Sequence, residues 1–195
     1  QMGSVYMTEG AYFKSPTGTL TLNGAPYGGY TMYNAEGTFV HNNGNVAIEF
    51  TGSDATQVRN KDYFYDYEQT LGASTHRVNW RGLGSAPYPF RIAHNATIKE
   101  GSFRPTASSN TMVISGTLEV QSGGNYGYSG GDFEIGADIG SIDIKSGGNM
   151  YAPKPTISSN GITNVTSGSF TDAGTFHHNG GEVVMKATGK DIDGA

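Results

Sequence analysis

Pairs of acidic residues two positions apart are the pattern in this sequence that comes closest to a catalytic arrangement. Asp66 and Glu68 form one pair, and Asp132 and Glu134 form another. Side chains at i and i+2 of a β-strand share a face. Each pair would therefore bring two carboxyl groups within about 5–9 Å, the range that glycosidic bond cleavage uses. Exposed acidic residues of almost any β-protein give the same spacing, so we favour solubilising charge over catalysis at both pairs.

Aromatic side chains form a second set of candidates, many of them within residues 54–94. Tyr and Trp rings stack on sugar rings and make hydrogen bonds through their polar tips, which suits them to glycan recognition. Pro87 and Pro89 interrupt any strand ladder there, so we expect residues 54–94 to form an irregular insertion that projects from the protein. The predicted ligand-binding residues are Tyr63, Tyr65, Tyr67, Trp80 and Tyr88, with Tyr126 and Tyr128 as a second cluster.

A structural role for the same aromatic residues stays open. If Tyr63, Tyr65 and Tyr67 lie on one strand, they share a face and leave Phe64 buried on the other face. They would then only close the end of one turn of the fold.

Histidines raise the question of a metal site. His177 and His178 are neighbours, and on a strand their side chains point to opposite faces, so they cannot hold one ion together. His41 and His178 occupy equivalent positions of a repeated segment, where a structural role is more common than a metal-binding one. We expect both to stack or to hydrogen-bond the asparagine turn that follows them, and we predict no metal and no cofactor.

The repeated segment defines the architecture that must position these side chains. Residues 37–52 read GTFVHNNGNVAIEFTG, and residues 174–189 read GTFHHNGGEVVMKATG, with nine of sixteen positions identical. The turns Asn42-Asn43-Gly44 and Asn179-Gly180-Gly181 use residues that tolerate left-handed backbone conformations. A repeat of this length indicates stacked units, each of which needs its neighbour to bury its apolar face.

Shorter echoes between the two copies predict the fold class. They align on Ile98, Val120, Ile144 and Val165, and Val183 follows after a shorter interval. Each has a short alternating strand that runs into a turn of Gly, Asn and Ser. We predict an all-β, right-handed parallel β-helix, or solenoid, whose turns match the spacing of the echoes at about 20–24 residues. An ordinary β-sandwich or barrel is the alternative.

Composition excludes several classes of function. The chain has 195 residues, no cysteine, a net charge of −5 and 15% charged residues, and its longest apolar runs are only a few residues. Membrane insertion is therefore not expected. Nucleic acid binding is not expected either, because it needs clustered Lys and Arg. We take residues 1–195 as a single solenoid module, expected to be part of a longer fibre.

The GTF-x-H-N-x-G-x-V core with its trailing Thr-Gly resembles the tandem-repeat β-solenoid segments of phage tail fibre and tailspike-like proteins and of bacterial surface proteins. The likeness covers residues 37–52 and 174–189, with looser repeats from about residue 95 onward. It implies a virion or cell-surface location, an adhesive role and a parallel assembly that includes a homotrimer or other fibre subunits. It carries over no catalytic residue.

Three functions follow from these observations. The first is a non-enzymatic module that presents a binding surface for a host glycan or receptor, with avidity adding weak contacts. The second is a polysaccharide depolymerase on the same scaffold, which would use the acidic pairs. The third is a purely structural shaft or virion module without a ligand.

Overall fold

The protein is built from short strands that pair in parallel. The computed structural model describes residues 1–24, 28–52, 55–81, 90–106, 111–128, 136–155 and 161–194. Within these ranges there is no helix, and the strand pairs run parallel. In chain order the strands are β1 (Val5–Met7), β2 (Tyr12–Lys14), β3 (Thr19–Leu22), β4 (Tyr30–Asn34), β5 (Thr38–Val40), β6 (Asn45–Ile48), β7 (Ala55–Asn60), β8 (Asp66–Gln69), β9 (Arg77–Trp80), β10 (Phe90–Ile92), β11 (Ala96–Ile98), β12 (Gly101–Pro105), β13 (Met112–Val120), β14 (Gly124–Tyr126), β15 (Ala137–Ile144), β16 (Asn149–Tyr151), β17 (Ile162–Val165), β18 (Phe170–Asp172), β19 (Thr175–His177), β20 (Glu182–Met185) and β21 (Ile192–Gly194).

Two long sheets run along the described part of the molecule. An eight-stranded sheet has the order β1-β4-β7-β9-β12-β14-β16-β19. An eleven-stranded sheet follows the path β20-β17-β15-β13-β11-β8-β6-β3, with β10, β18 and β21 beside it, and β2 pairs with β5 in a small third sheet. Because the chain leaves one sheet, enters another and returns one strand further along, the fold is a parallel β-solenoid. This confirms the fold class predicted from the repeats.

The length of one turn varies more than the sequence spacing suggests. In the eight-stranded sheet a short turn runs from Ala55 to its partner Arg77, whereas a long turn runs from Val5 to its partner Met32. The predicted length of about 20–24 residues therefore covers only the shorter turns.

Columns of inward-facing side chains fill the space between the sheets. Alternation along each strand sends every second side chain inward, as in β7, where Thr56, Val58 and Asn60 are buried. One column, with one residue from each successive turn, consists of Leu20, Val46, Tyr67, Ala96, Leu118, Ile142 and Phe170. Burying a large aliphatic side chain contributes about 1.5–3 kcal/mol. Each turn therefore depends for its stability on the turns above and below.

The predicted register of the echoes is confirmed in part. Ile98 pairs with Val120, and Val120 pairs with Ile144, as their spacing indicates. The continuation to Val165 is wrong, because Val165 pairs with Ile139, and Ile144 pairs with Asp172 instead. The long strand β15 contributes to two neighbouring columns, so apolar spacing alone does not tell which column a later strand will join.

Residues 54–94 do not form the expected irregular insertion where the structure describes them. Strands β7 and β9 are regular members of the eight-stranded sheet, and β8 is central in the eleven-stranded sheet. Phe64, Tyr67, Trp80 and Phe90 supply large inward side chains to ordinary turns of the solenoid. Residues 82–89, with both prolines, lie outside the described residues.

The sixteen-residue repeat forms the same strand–turn–strand corner twice. Backbone N–H groups of Gly44 and Gly181 donate to the carbonyls of His41 and His178, at 3.0 and 2.7 Å. Asn42 and Asn43 have φ values of 51° and 56°. In the second copy the φ values are 47° at Asn179 and 78° at Gly180. The left-handed turn predicted for both copies is confirmed.

The two corners nevertheless occupy different places in the fold. In the first copy, β5 belongs to the small sheet with β2, whereas in the second copy β19 belongs to the eight-stranded sheet. Both corners then enter the eleven-stranded sheet, through β6 and β20. The repeat therefore encodes a local strand–turn–strand structure, and its two copies do not occupy equivalent positions in the solenoid.

Candidate functional site

A stack of aromatic and imidazole rings lies at the surface beside the eleven-stranded sheet. The rings of His41 and Tyr65 stack with centroids 5.5 Å apart, and Tyr65 stacks on His94 at 5.0 Å. Tyr63 adds a tilted contact to His41 at 4.7 Å, and its side chain is 41% exposed. We call His41, Tyr63, Tyr65 and His94 the ring stack; it runs across three successive turns of the solenoid.

The backbone around Phe64 explains why the two tyrosines face outward. Phe64 is fully buried, is bridged to Ile92 in the next turn and packs edge-on against Phe39 at 5.5 Å. The chain bends at Tyr65 before β8 begins. This bend breaks the alternation, so that Tyr65 and Asp66 both face solvent and Tyr67 points inward. The structural alternative that placed three tyrosines on one strand face is therefore wrong, although the burial of Phe64 is confirmed.

A polar groove of about 290 Å³ lies beside the ring stack. The residues that line it are Asn45, Asp66, Tyr67, Glu68, Asn95 and Thr97. Asp66 joins the groove to the stack: its Oδ1 atom accepts a hydrogen bond from the Asn95 backbone N–H at 2.9 Å and contacts His94 Nδ1 at 2.8 Å. The groove thus combines amide, hydroxyl and carboxylate groups with flat rings along one edge.

The Asp66–Glu68 pair faces this groove, as its spacing predicts. Glu68 Oε1 accepts a hydrogen bond from Lys99 Nζ at 2.6 Å, while Asp66 is held by Asn95 and His94. Both carboxylates are thus engaged by neighbouring donors. They can accept hydrogen bonds from a bound ligand through their remaining lone pairs. The second acidic pair, Asp132 and Glu134, lies outside the described residues.

Three of the aromatic residues predicted to bind a ligand are in the core. Tyr67, Trp80 and Tyr126 are at most 1% exposed, and Trp80 meets Tyr67 edge-on at 5.4 Å. Burial raises the pKa values of Tyr67 and Tyr126, because the interior disfavours a phenolate. The Tyr67 hydroxyl donates a hydrogen bond to Gln69 Oε1 at 3.1 Å. Their role is packing, which corrects the sequence prediction for these three residues.

The remaining predicted aromatic residues fall in different places. Tyr63 and Tyr65 are in the ring stack. Tyr128 lies beside the eight-stranded sheet, with the Arg104 guanidinium carbon 4.5 Å from the centre of its ring. Tyr88 is outside the described residues. The outward-facing residues Tyr63 and Tyr65 therefore lie by a different sheet from Tyr128, and the three do not form one site.

Sequence reasoning missed His94, Asn45 and Asn95. The dipeptide His-Asn occurs at residues 41–42, 94–95 and 178–179, and this recurrence was a usable signal for His94. The expected structural role of His41 and His178 is confirmed: Nδ1 of each accepts a hydrogen bond from the backbone N–H two residues later, at 2.9 and 3.0 Å. Burial lowers the pKa of His41.

Within the part of the chain that the structure describes, no group of three His, Asp or Glu side chains is arranged to hold a metal ion. The same residues include no helix long and apolar enough to cross a membrane. Comparison with known proteins found no matching family model, no matching curated protein and no matching solved structure.

Proposed function

We propose that this chain is a rigid binding module that holds a glycan against the ring stack and the adjacent groove. The observation that carries the proposal is the joint arrangement of stacked, partly exposed rings and an open polar groove. The exposed ring of Tyr63 can pack on the C–H face of a sugar, while the hydroxyl, amide and carboxylate groups of the groove bind sugar hydroxyls. The solenoid supports this function because its parallel ladders hold the rings of three turns in fixed positions.

The proposed setting is a phage tail fibre or a bacterial surface structure, with the chain on the virion or at the cell surface. The resemblance of the repeated corner to fibre and surface solenoids supports this setting. A single shallow groove gives weak binding, so a homotrimer or a fibre with several copies would bind through avidity. In this proposal the module acts without catalysis and without a cofactor.

The first test compares Tyr63→Ala with Tyr12→Ala, because Tyr63 is exposed whereas Tyr65 lies stacked between His41 and His94. Tyr12 is 66% exposed on the small third sheet and is the matched control, because the same change there leaves the ring stack intact. Glycans are first found with the unmodified protein on a glycan array, and the hits are measured by calorimetry. We expect Tyr63→Ala to weaken binding about two- to tenfold, since an aromatic stacking contact contributes about 0.5–1.5 kcal/mol. Equal binding by the two variants would contradict the proposal, and binding to no glycan would favour the purely structural function.

A polysaccharide depolymerase is the second candidate, because Asp66 and Glu68 line the same groove. Its test is the release of reducing ends or of unsaturated sugars from the glycans that bind. If the unmodified protein cleaves a glycan and Asp66→Asn binds that glycan without cleaving it, the enzymatic function is correct and the purely adhesive one is wrong. We expect no cleavage by the unmodified protein, because both carboxylates are engaged with neighbouring donors.

A further inference from the structure

The two long sheets carry opposite charge in their strands. Among the described residues, strands of the eight-stranded sheet contain Arg59, Arg77 and Arg104 and no Asp or Glu. The strands of the eleven-stranded sheet contain one arginine, Arg91, and eight acidic residues. Those eight are Asp66, Glu68, Glu119, Asp138, Asp143, Asp172, Glu182 and Asp193. Although the whole chain has a net charge of −5, the described strands of the eight-stranded sheet carry positive charge.

Neighbouring turns bring Arg77 and Arg104 together on that face. Arg77 pairs in register with Ser102, and Arg104 follows Ser102 at the next outward position of β12. Val78 and Phe103, which alternate with the arginines, are buried, so the two guanidinium groups lie on the outer side. Burial and the neighbouring charge of Arg77 lower the pKa of Arg104. Like charges on neighbouring turns repel each other, and a bound anion would offset this repulsion.

No carboxylate in the described part of the chain neutralises these arginines. The ion pairs there join lysines or a histidine to acidic residues, and none involves an arginine. The Nε atoms of Arg59 and Arg104 are buried without a hydrogen-bond partner. The described carboxylates therefore leave the charges of Arg77 and Arg104 unpaired, and an oxyanion on this face would supply a partner.

A small pocket at Arg104 supplies further polar groups. It has a volume of about 170 Å³ and is lined by Ser74, Ser102, Arg104, Asn125, Gly127, Tyr128 and Tyr151. Small-molecule clefts usually exceed about 300 Å³, so this pocket suits one charged substituent of a longer chain. Tyr151 and His177 stack beside it with centroids 4.2 Å apart, and they extend a flat aromatic surface toward the next turns.

We propose that the outer face of the eight-stranded sheet binds an anionic polysaccharide, with its carboxylate or sulfate groups held by Arg77 and Arg104. Planar guanidinium groups bind such oxyanions through two parallel hydrogen bonds. Tyr128 packs against the Arg104 guanidinium and helps to hold it in place, while the stacked rings of Tyr151 and His177 border the adjoining sugars. This site shares no residue with the ring stack, so it goes beyond the proposed function and can fail independently of it.

The experiment uses polygalacturonate and its fully methyl-esterified form, which share a backbone and differ in charge. Dextran sulfate and neutral dextran form a second pair that distinguishes sulfate from carboxylate recognition. The test variant is Arg77→Gln/Arg104→Gln, and its control is Arg91→Gln/Lys154→Gln, which removes the same charge elsewhere. Arg104→Lys keeps the charge but loses the planar fork, and circular dichroism checks that each variant is folded.

We expect at least one anionic polymer to bind while its neutral counterpart does not. The Arg77/Arg104 double variant should then bind at least tenfold more weakly, the control should stay within twofold, and Arg104→Lys should fall between them. Binding should also weaken as salt rises. Equal binding of charged and neutral polymers, equal losses in both double variants, or tighter arginine-dependent binding of DNA of similar charge density would overturn the proposal.

Discussion

At the scale of single residues, His41 connects the fold to the candidate site. Its Nδ1 atom accepts the Asn43 N–H that closes the corner, and its ring stacks on Tyr65. Nδ1 can accept this bond only while it carries no proton. Burial lowers the pKa of His41 from its usual value of 6.5, which agrees with that requirement. The corner and the ring stack are therefore coupled to the protonation of one side chain.

This coupling predicts a loss of stability in mild acid. Between the lowered pKa of folded His41 and the unfolded value near 6.5, the unfolded chain binds more protons, so stability rises with pH. The contribution is complete above that value and is lost as pH falls. We expect the unfolding free energy to drop further between pH 7.5 and pH 5.5 for the unmodified protein than for His41→Gln, as measured by urea denaturation. The same drop in both proteins would contradict this role.

At the scale of elements, glycines let each corner press against the turn before it. A Cβ atom on Gly44 would overlap the Pro16 carbonyl oxygen, and one on Gly181 would overlap the Pro153 carbonyl oxygen. These contacts are with backbone and cannot be relieved by turning a side chain. The two copies of the repeat thus share their packing against the preceding turn, although they lie at different corners.

We therefore predict that Gly44→Ala and Gly181→Ala each lower the unfolding free energy by about 1–3 kcal/mol or more, the usual cost of overpacking. Gly18→Ala is the matched control, because a Cβ atom there meets nothing within 4 Å. Its effect should stay within about 0.5 kcal/mol, as for most surface changes. Denaturant melts of the three variants provide the comparison. A tolerated Gly44→Ala would show that the corner has room to relax.

The sequence predicts the strands and turns better than it predicts their positions in the sheets and the direction in which their side chains face. Spacing gives the pairing of Ile98 with Val120 because both strands end in the same kind of turn. The site is harder to predict, because the bend at Tyr65 breaks the alternation that runs from Tyr63 to Tyr67. The contacts of Phe64 with neighbouring turns fix that bend. Alternation within β8 does relate Tyr67 to its neighbours, since Asp66 and Glu68 face outward and Tyr67 between them is buried; the sequence does not tell that Tyr65 is out of this alternation.

At the scale of the whole molecule, the solenoid is a one-dimensional stack whose turns stabilise their neighbours. Central columns are closed on both sides, and Leu118 and Val120 are fully buried. Ile192 continues the column that contains Ile142 and Phe170, yet it is 64% exposed. Stability should therefore be uneven along the axis of this chain.

Amide hydrogen exchange should report that unevenness directly. We expect the slowest exchange in β8, β11 and β13 and much faster exchange in β19, β20 and β21, because local opening needs less energy where fewer side chains are buried. Exchange at a single uniform rate in all of these strands would mean that the chain opens only as one unit.

The central claim is that glycans contact the ring stack, and NMR titration of ring protons tests it most directly. A neutral glycan identified on the array is added to the protein while the ring signals of His41, Tyr63, Tyr65 and His94 are followed. We expect these signals to shift together with one affinity while those of Tyr12 stay in place. Unchanged ring-stack signals, with shifts at Tyr12 or elsewhere, would contradict it.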